Sequence, residues 1–151
     1  MSGAEVLGII STVISIIDTT IQLSITIKDE ASLPSNFKTV AAKLPLIAKL
    51  LDNTERYVEE EANNDLASTF LAILRDCEEK ATKLQVLFEK VVPANGDSRV
   101  DRYIKAARTI GNGGRVETLM KAILDGLQLL MTTFPRVTSR RGLENLTKAI
   151  E

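Results

Sequence analysis

The residues able to do bond chemistry are few, and their spacing does not suit it. The chain of 151 residues contains no histidine and one cysteine, Cys77. The commonest general base and the commonest metal ligand are therefore missing, and no Cys–His pair can form. Carboxylates cluster at Glu59-Glu60-Glu61 and at Glu78-Glu79. Consecutive residues on a helix point in different directions, so neither run converges on one ion or one substrate atom. The run Gly111-Asn112-Gly113-Gly114 leads into Arg115-Val116. A phosphate-binding loop would instead end in Gly-Lys-Ser/Thr behind a strand, so this run reads as a joint between elements. The sequence predicts no enzyme, no cofactor and no metal site.

Charge offers a second kind of chemistry. The net charge is -1 at a pI of about 5.6, which does not favour nucleic acid as a partner. With 4% aromatic residues and no tryptophan, platforms for stacking bases are also scarce. The charge is uneven, however. Asp52 to Lys90 carries ten acidic and five basic residues, a local net of -5; Asp97 to Arg141 carries nine basic and four acidic, a local net of +5. Arg99, Arg102, Lys105 and Arg108 recur every three residues, and Arg136, Arg140 and Arg141 follow later. Such charges pair across neighbouring helices or attract anionic lipid headgroups, at about 1 kcal/mol per basic residue near such a surface.

The elements that would carry these charges are helices, and the first is unlike the others. Val6 to Ile27 reads VLGIISTVISIIDTTIQLSITI, with Asp18 as its only charge. Leu7, Ile10, Ile14, Ile17 and Ile21 follow heptad spacing, and Val6, Val13 and Ile27 broaden that face. Ile9, Ile16 and Leu23 fall on the far side, so apolar residues run all the way round. Such a helix is the core of a bundle or a membrane segment, and about 20 apolar residues suffice to span a bilayer. Asp18 and the many Ser and Thr residues argue for burial in the resting protein, at the centre of the bundle. No basic residue precedes the stretch, so it lacks the flank of a secretory signal. Ser2 rules out myristoylation, which needs glycine there. Runs of β-branched residues would suit a strand, but more than twenty residues without a turn exceed strand length.

Three more long helices follow. Phe37, Val40, Ala41, Leu44, Ile47, Ala48, Leu51 and Val58 mark one, with Pro45 inside it and a kink expected there. Leu66, Phe70, Ile73, Cys77, Ala81, Leu84, Phe88 and Val91 mark the next by alternating threes and fours; Cys77 lies on this stripe as a small buried hydrophobe. Val116, Leu119, Met120, Ile123, Leu127, Leu130, Met131 and Phe134 mark the last, with the two methionines as core filler. Short helices are predicted over Ser98–Thr109 and about 139–151. The expected architecture is an all-α, single-domain bundle over 1–151. It has four main helices plus one or two short ones: a central N-terminal helix at about 4–28, the bundle at 34–134 and a short helix at 139–151. The first helix is expected to pack inside the three later long ones.

Three runs together carry a resemblance: EVLGIISTVISIIDTT, LPSNFKTVAAKLPLIAKLL and FEKVVPANGDSRVDRYIKAARTIGNGGRVETLMKAILDGLQLL. Over about Glu5 to Leu130 the chain resembles the SesA-type N-terminal domain that precedes NACHT and other P-loop NTPase modules in fungal NOD-like receptors. That domain is related in role to the HeLo and HeLo-like domains of fungal incompatibility proteins, which resemble the executioner bundle of the necroptosis effector MLKL. The resemblance implies a regulated cell-death effector, cytoplasmic when resting, that self-oligomerises and permeabilises the plasma membrane. Its partners would be anionic membrane lipids and a NACHT/NB-ARC-type NTPase region in the same or a partner chain. The inserting helix would comprise Val6, Leu7, Ile9, Ile10, Val13, Ile14, Ile16, Ile17, Ile21 and Leu23. The seven basic residues named above would meet headgroups. A helical adaptor without membrane activity is the alternative.

Overall fold

The computed structural model describes residues 3–26, 35–60, 64–91 and 116–150. Among these residues the chain is helical, with no strand: α1 (Gly3–Thr26), α2 (Ser35–Glu60), α3 (Asn64–Val91), α4 (Val116–Thr133) and α5 (Arg140–Ile150). The expected short helix over 98–109 lies outside the described residues. An all-α bundle is what the sequence predicts and what the chain forms.

The four long helices occupy the corners of a square. α1 packs against α3 and α2, and α4 against α3 and, less extensively, α2. α1 and α4 are thus diagonal, as are α2 and α3. Aromatic pairs fix the directions. Phe37 of α2 meets Phe88 of α3 with ring centroids 4.9 Å apart. At the other end Phe70 of α3 meets Phe134, just past α4, at 4.6 Å, with Tyr57 of α2 at 6.1 Å from Phe70. α3 therefore runs opposite to both α2 and α4. The Arg75–Glu5 ion pair of 2.9 Å sets the start of α1 near that second end.

The interior follows from the periodicities. Leu44, Ile47, Leu50 and Leu51 of α2, Leu74, Ala81, Leu84 and Leu87 of α3, and Ile123, Leu127 and Leu130 of α4 are all buried. Each Val, Leu or Ile so buried is worth about 1.5–3 kcal/mol relative to exposure. Cys77, Met120 and Met131 are core residues as expected. α2 runs continuously through Pro45, which lies on its exposed face. Thr54 is a buried polar residue, satisfied by donating its hydroxyl to the Leu50 carbonyl.

α5 closes the seam between α2 and α4, touching both. Pro135 cannot continue the α4 ladder, and the chain turns. Val137 is buried in that turn, and Asn53 of α2 donates to the Thr138 hydroxyl at 3.0 Å. Ser139 caps the new helix by accepting the Gly142 N–H, which satisfies one of the donors orphaned at a helix start. Leu146 is the fully buried anchor of α5, with Leu143, Ala149 and Ile150 half-buried beside it.

The position of α1 departs from expectation. It is a corner of the square, seated on α2 and α3, rather than the centre of the bundle inside three partners. The interior volume goes to the diagonal aromatic pair and to the leucines of α2, α3 and α4.

Candidate functional site

α1 is built as two opposed stripes. The seated stripe is Val6, Ile10, Val13, Ile17 and Thr20, all buried to complete exclusion of solvent. The spacing alternates four and three, the period that keeps one face against neighbouring helices. This corrects the predicted seam by one position. Ile10 and Ile17 belong to it, while Leu7, Ile14 and Ile21 flank it half-buried, as do Ile9, Ile16 and Leu23. Thr20 replaces an expected isoleucine. It can occupy a dry seam because its hydroxyl donates to the Ile16 carbonyl at 2.8 Å.

The outward stripe corrects a second expectation, that apolar residues encircle the helix. Ala4, Gly8, Ser11, Ser15, Asp18, Gln22 and Ile25 are exposed, again at alternating fours and threes, with Thr12 and Thr19 beside them. A Cβ added at Gly8 would meet nothing within 4 Å. Three hydroxyls on or beside this side are self-satisfied. Thr12 donates to the Gly8 carbonyl and Thr19 to the Ser15 carbonyl, each at 2.9 Å, and Ser24 to the Ile21 carbonyl at 2.7 Å. Such back-bonding meets a hydroxyl's need without water. What remains polar on the outward side is Glu5, Ser11, Ser15, Asp18 and Gln22. Ile25 is 65% exposed at the far end.

Ala4–Ile25 of α1 is long and apolar enough to cross a membrane, judged by length and composition. At 1.5 Å per residue those 22 residues reach about 33 Å, against a hydrocarbon core of about 30 Å. The ten residues assigned to the inserting helix all lie on α1; four are in the seam and six flank it.

The candidate headgroup contacts divide. Arg99, Arg102, Lys105 and Arg108 lie outside the described residues. Arg136, Arg140 and Arg141 are exposed in and after the α4–α5 turn, at the same end of the bundle as Glu5. Arg140 pairs with Glu144 at 3.8 Å, a surface contact of little energetic weight.

Nothing in the described residues assembles into reactive chemistry. Cys77 faces α4, where its sulfur lies 3.2 Å from the position a Cβ on Gly126 would occupy. Burial, and secondly the Asp76 charge, push its thiol up to about 12 from 9.0, far from the thiolate a nucleophile needs. Among the described residues no three His, Cys, Asp or Glu side chains cluster to hold a metal. A cleft of about 110 Å³ between α2, α4 and α5 has a mainly apolar lining, with one carboxylate, Glu117, and two cations, Lys43 and Lys121. This helical bundle fits a non-enzymatic domain.

Residues 10–130 match a family described as the SesA N-terminal domain on NACHT NTPases and P-loop NTPases. The chain belongs to the SesA family. No curated protein and no solved structure matches it. The SesA match spans α1 to α4 from the second turn of α1 onward and stops before the turn that leads to α5. The family's place on NTPase-bearing proteins supports an NTPase region as the partner of this bundle within such chains.

Sequence reasoning missed Thr20 as a seam residue and the polar outward stripe. The signal was present: Gly8, Ser11, Ser15, Asp18 and Gln22 repeat with the same period as the apolar face.

Proposed function

We propose that this SesA bundle is a regulated effector domain of an NLR-type receptor. In this reading it is cytoplasmic at rest, and on self-association it permeabilises the plasma membrane through α1. The observation that carries the reading is the state of α1. Its apolar flank residues are half-covered, four of its hydroxyls (Thr12, Thr19, Thr20 and Ser24) are satisfied within the helix, and a single mid-helix charge opposes transfer to lipid. Asp18 at the bilayer centre costs about 2.5–3.5 kcal/mol on insertion scales, which the apolar flanks and seam can offset. The basic turn residues Arg136, Arg140 and Arg141 would approach an acidic leaflet from the end where α1 begins. An NTPase region that gathers several copies would supply the trigger.

The adaptor reading draws on the polar outward stripe of α1, which suits a permanently solvated surface. Ser15 separates the two. It is exposed at the middle of α1, so Ser15→Lys should leave the soluble fold within about 0.5 kcal/mol, yet it sets a charge at the bilayer centre. Dye release from anionic and neutral vesicles should be strong for the wild type on anionic vesicles and lost in Ser15→Lys, despite the added attraction to acidic headgroups. Equal leakage from both proteins would contradict insertion of α1. No leakage from either, even with forced dimerisation, would favour the adaptor.

A further inference from the structure

We infer that the seat of α1 between α2 and α3 also accepts α1 from a second copy of this chain, so that copies link by exchanging their first helix. The inference rests on α1 being detachable, as in the reading above, and does not require it to enter lipid.

The first support is architectural. α1 touches α2 and α3, while α4 joins α3, α2 and α5 to one another. The Phe70–Phe134 contact and the Asn53–Thr138 hydrogen bond involve no atom of α1. Lifting α1 away removes the most extensive packing partner of both walls, but α4 and α5 still join α2 to the rest of the bundle and α4 still joins α3, so a groove is uncovered between elements that remain linked.

The second support is how the seat recognises its occupant. Val6, Ile10, Val13 and Ile17 enter it as apolar side chains, and the Glu5–Arg75 pair is exposed on both sides. An α1 from another copy presents the same side chains at the same spacing. It satisfies the seat as well as the resident helix does, and exchange of identical elements is a low-cost route to association.

The third support is reach. Eight residues, 27–34, join α1 to α2. Eight residues extend to at most about 28 Å, against a helix diameter of about 10 Å, so α1 can lie on a neighbour without unwinding. A tethered α1 competes with its own seat at an effective concentration of about millimolar. Exchange is therefore favoured where copies are gathered. Reciprocal exchange closes a dimer; serial exchange grows as an open line with an empty seat at one end, or closes into a ring with every seat filled.

The test uses the full chain. Glu5→Cys and Arg75→Cys are made in separate copies, mixed, and treated with a short thiol-to-thiol cross-linker. Cys77 is buried and stays out of the reaction. The Glu5→Cys/Arg75→Cys double variant sets the yield for a seated helix. Glu5→Cys mixed with Lys121→Cys, on the opposite corner, sets the collision background. Exchange predicts a covalent heterodimer several-fold above that background, rising with concentration and incubation time. Cross-linking across chains no greater than background overturns the inference. Repeating the mixture with Ser15→Lys present in both copies keeps this result distinct from the membrane reading. That variant retains the seam, so it should still cross-link when leakage is lost.

Discussion

α1 and α4 stand on opposite corners of the same square, and they are buried differently. α4 has 18 residues, of which eight are buried; α1 has 24 residues, of which five are buried among those whose side chains are described. The shorter helix thus buries more, because it touches three neighbours while α1 touches two. Its hidden residues also cover a wider arc: Met120, Leu124 and Met131 widen the core stripe toward α2 and α5. α1 hides a single 3–4 seam, and its remaining apolar residues are half-covered. In the proposed function this surplus of apolar surface serves a second environment, the bilayer. In that reading the other corner would hold α2, α3 and α5 together when α1 leaves.

The largest effect should come from α4. Leu127→Ala removes a fully buried side chain at the hub and should cost about 2–5 kcal/mol, a large part of the stability of a domain this size. Urea unfolding should shift as one transition, and leakage should fall with the fold. Ile17→Ala takes a similar side chain from the α1 seam, but the loss should fall on the seat alone. Vesicle leakage should rise, while near-native protection persists in α4. If Ile17→Ala instead lowers α4 protection by as much as Leu127→Ala does, the two corners are one cooperative unit and the contrast fails.

Asp18→Asn sharpens the comparison from the membrane side. Asp18 is exposed, so the soluble protein should melt nearly unchanged. Replacing the charge by a neutral amide removes part of the insertion penalty, since an amide still costs free energy in hydrocarbon, and should lower the protein concentration needed for half-maximal dye release. No change in that concentration would argue that α1 does not reach the hydrocarbon core.

Cys77 reports on the α3–α4 contact, where its sulfur approaches Gly126. Burial pushes its thiol up to about 12. The stabilising contribution is fully present below the ordinary value of 9.0 and is lost as pH rises toward the folded value, because the unfolded thiol ionises first. Melting temperature should therefore fall above about pH 9, and Cys77→Ala should flatten that limb. At neutral pH Cys77 should resist alkylation both in solution and on anionic vesicles, since α3 and α4 stay together when α1 departs. Rapid labelling on vesicles would mean that the whole bundle opens.

The smallest effect belongs to Gly126, where a Cβ would lie 3.2 Å from the Cys77 sulfur. Gly126→Ala gains about 0.5–1 kcal/mol of helix propensity and loses part of it to crowding. In a Cys77→Ala background the crowding is relieved, so the substitution should become more favourable. Additive effects in thermal melts would show that this close approach carries no strain.

Much of this fold was legible in the sequence. Threes and fours across Phe37–Val58, Phe70–Phe88 and Val116–Met131 locate three helices and their buried faces, because periodicity reports which side of a helix is dry. It does not report which neighbour keeps that side dry, so the square and the corner place of α1 were not readable. The seam of α1 slipped by one residue because Leu7, Ile14 and Ile21 are as apolar as Val6 and Val13. Thr20 was hidden for a different reason: its polarity disappears into a hydrogen bond with the residue four back. The basic turn at Arg136–Arg141 followed from composition, while the row from Arg99 to Arg108 lies outside the described residues.

Hydrogen exchange resolved along the chain, with and without anionic vesicles, tests the detachable corner most directly. In solution the amides of α1 should exchange through an opening of lower free energy than those of α4, which should follow global unfolding. On anionic vesicles α1 should become the better protected of the two. Identical opening free energies for α1 and α4 in solution, unchanged by vesicles, would contradict the account.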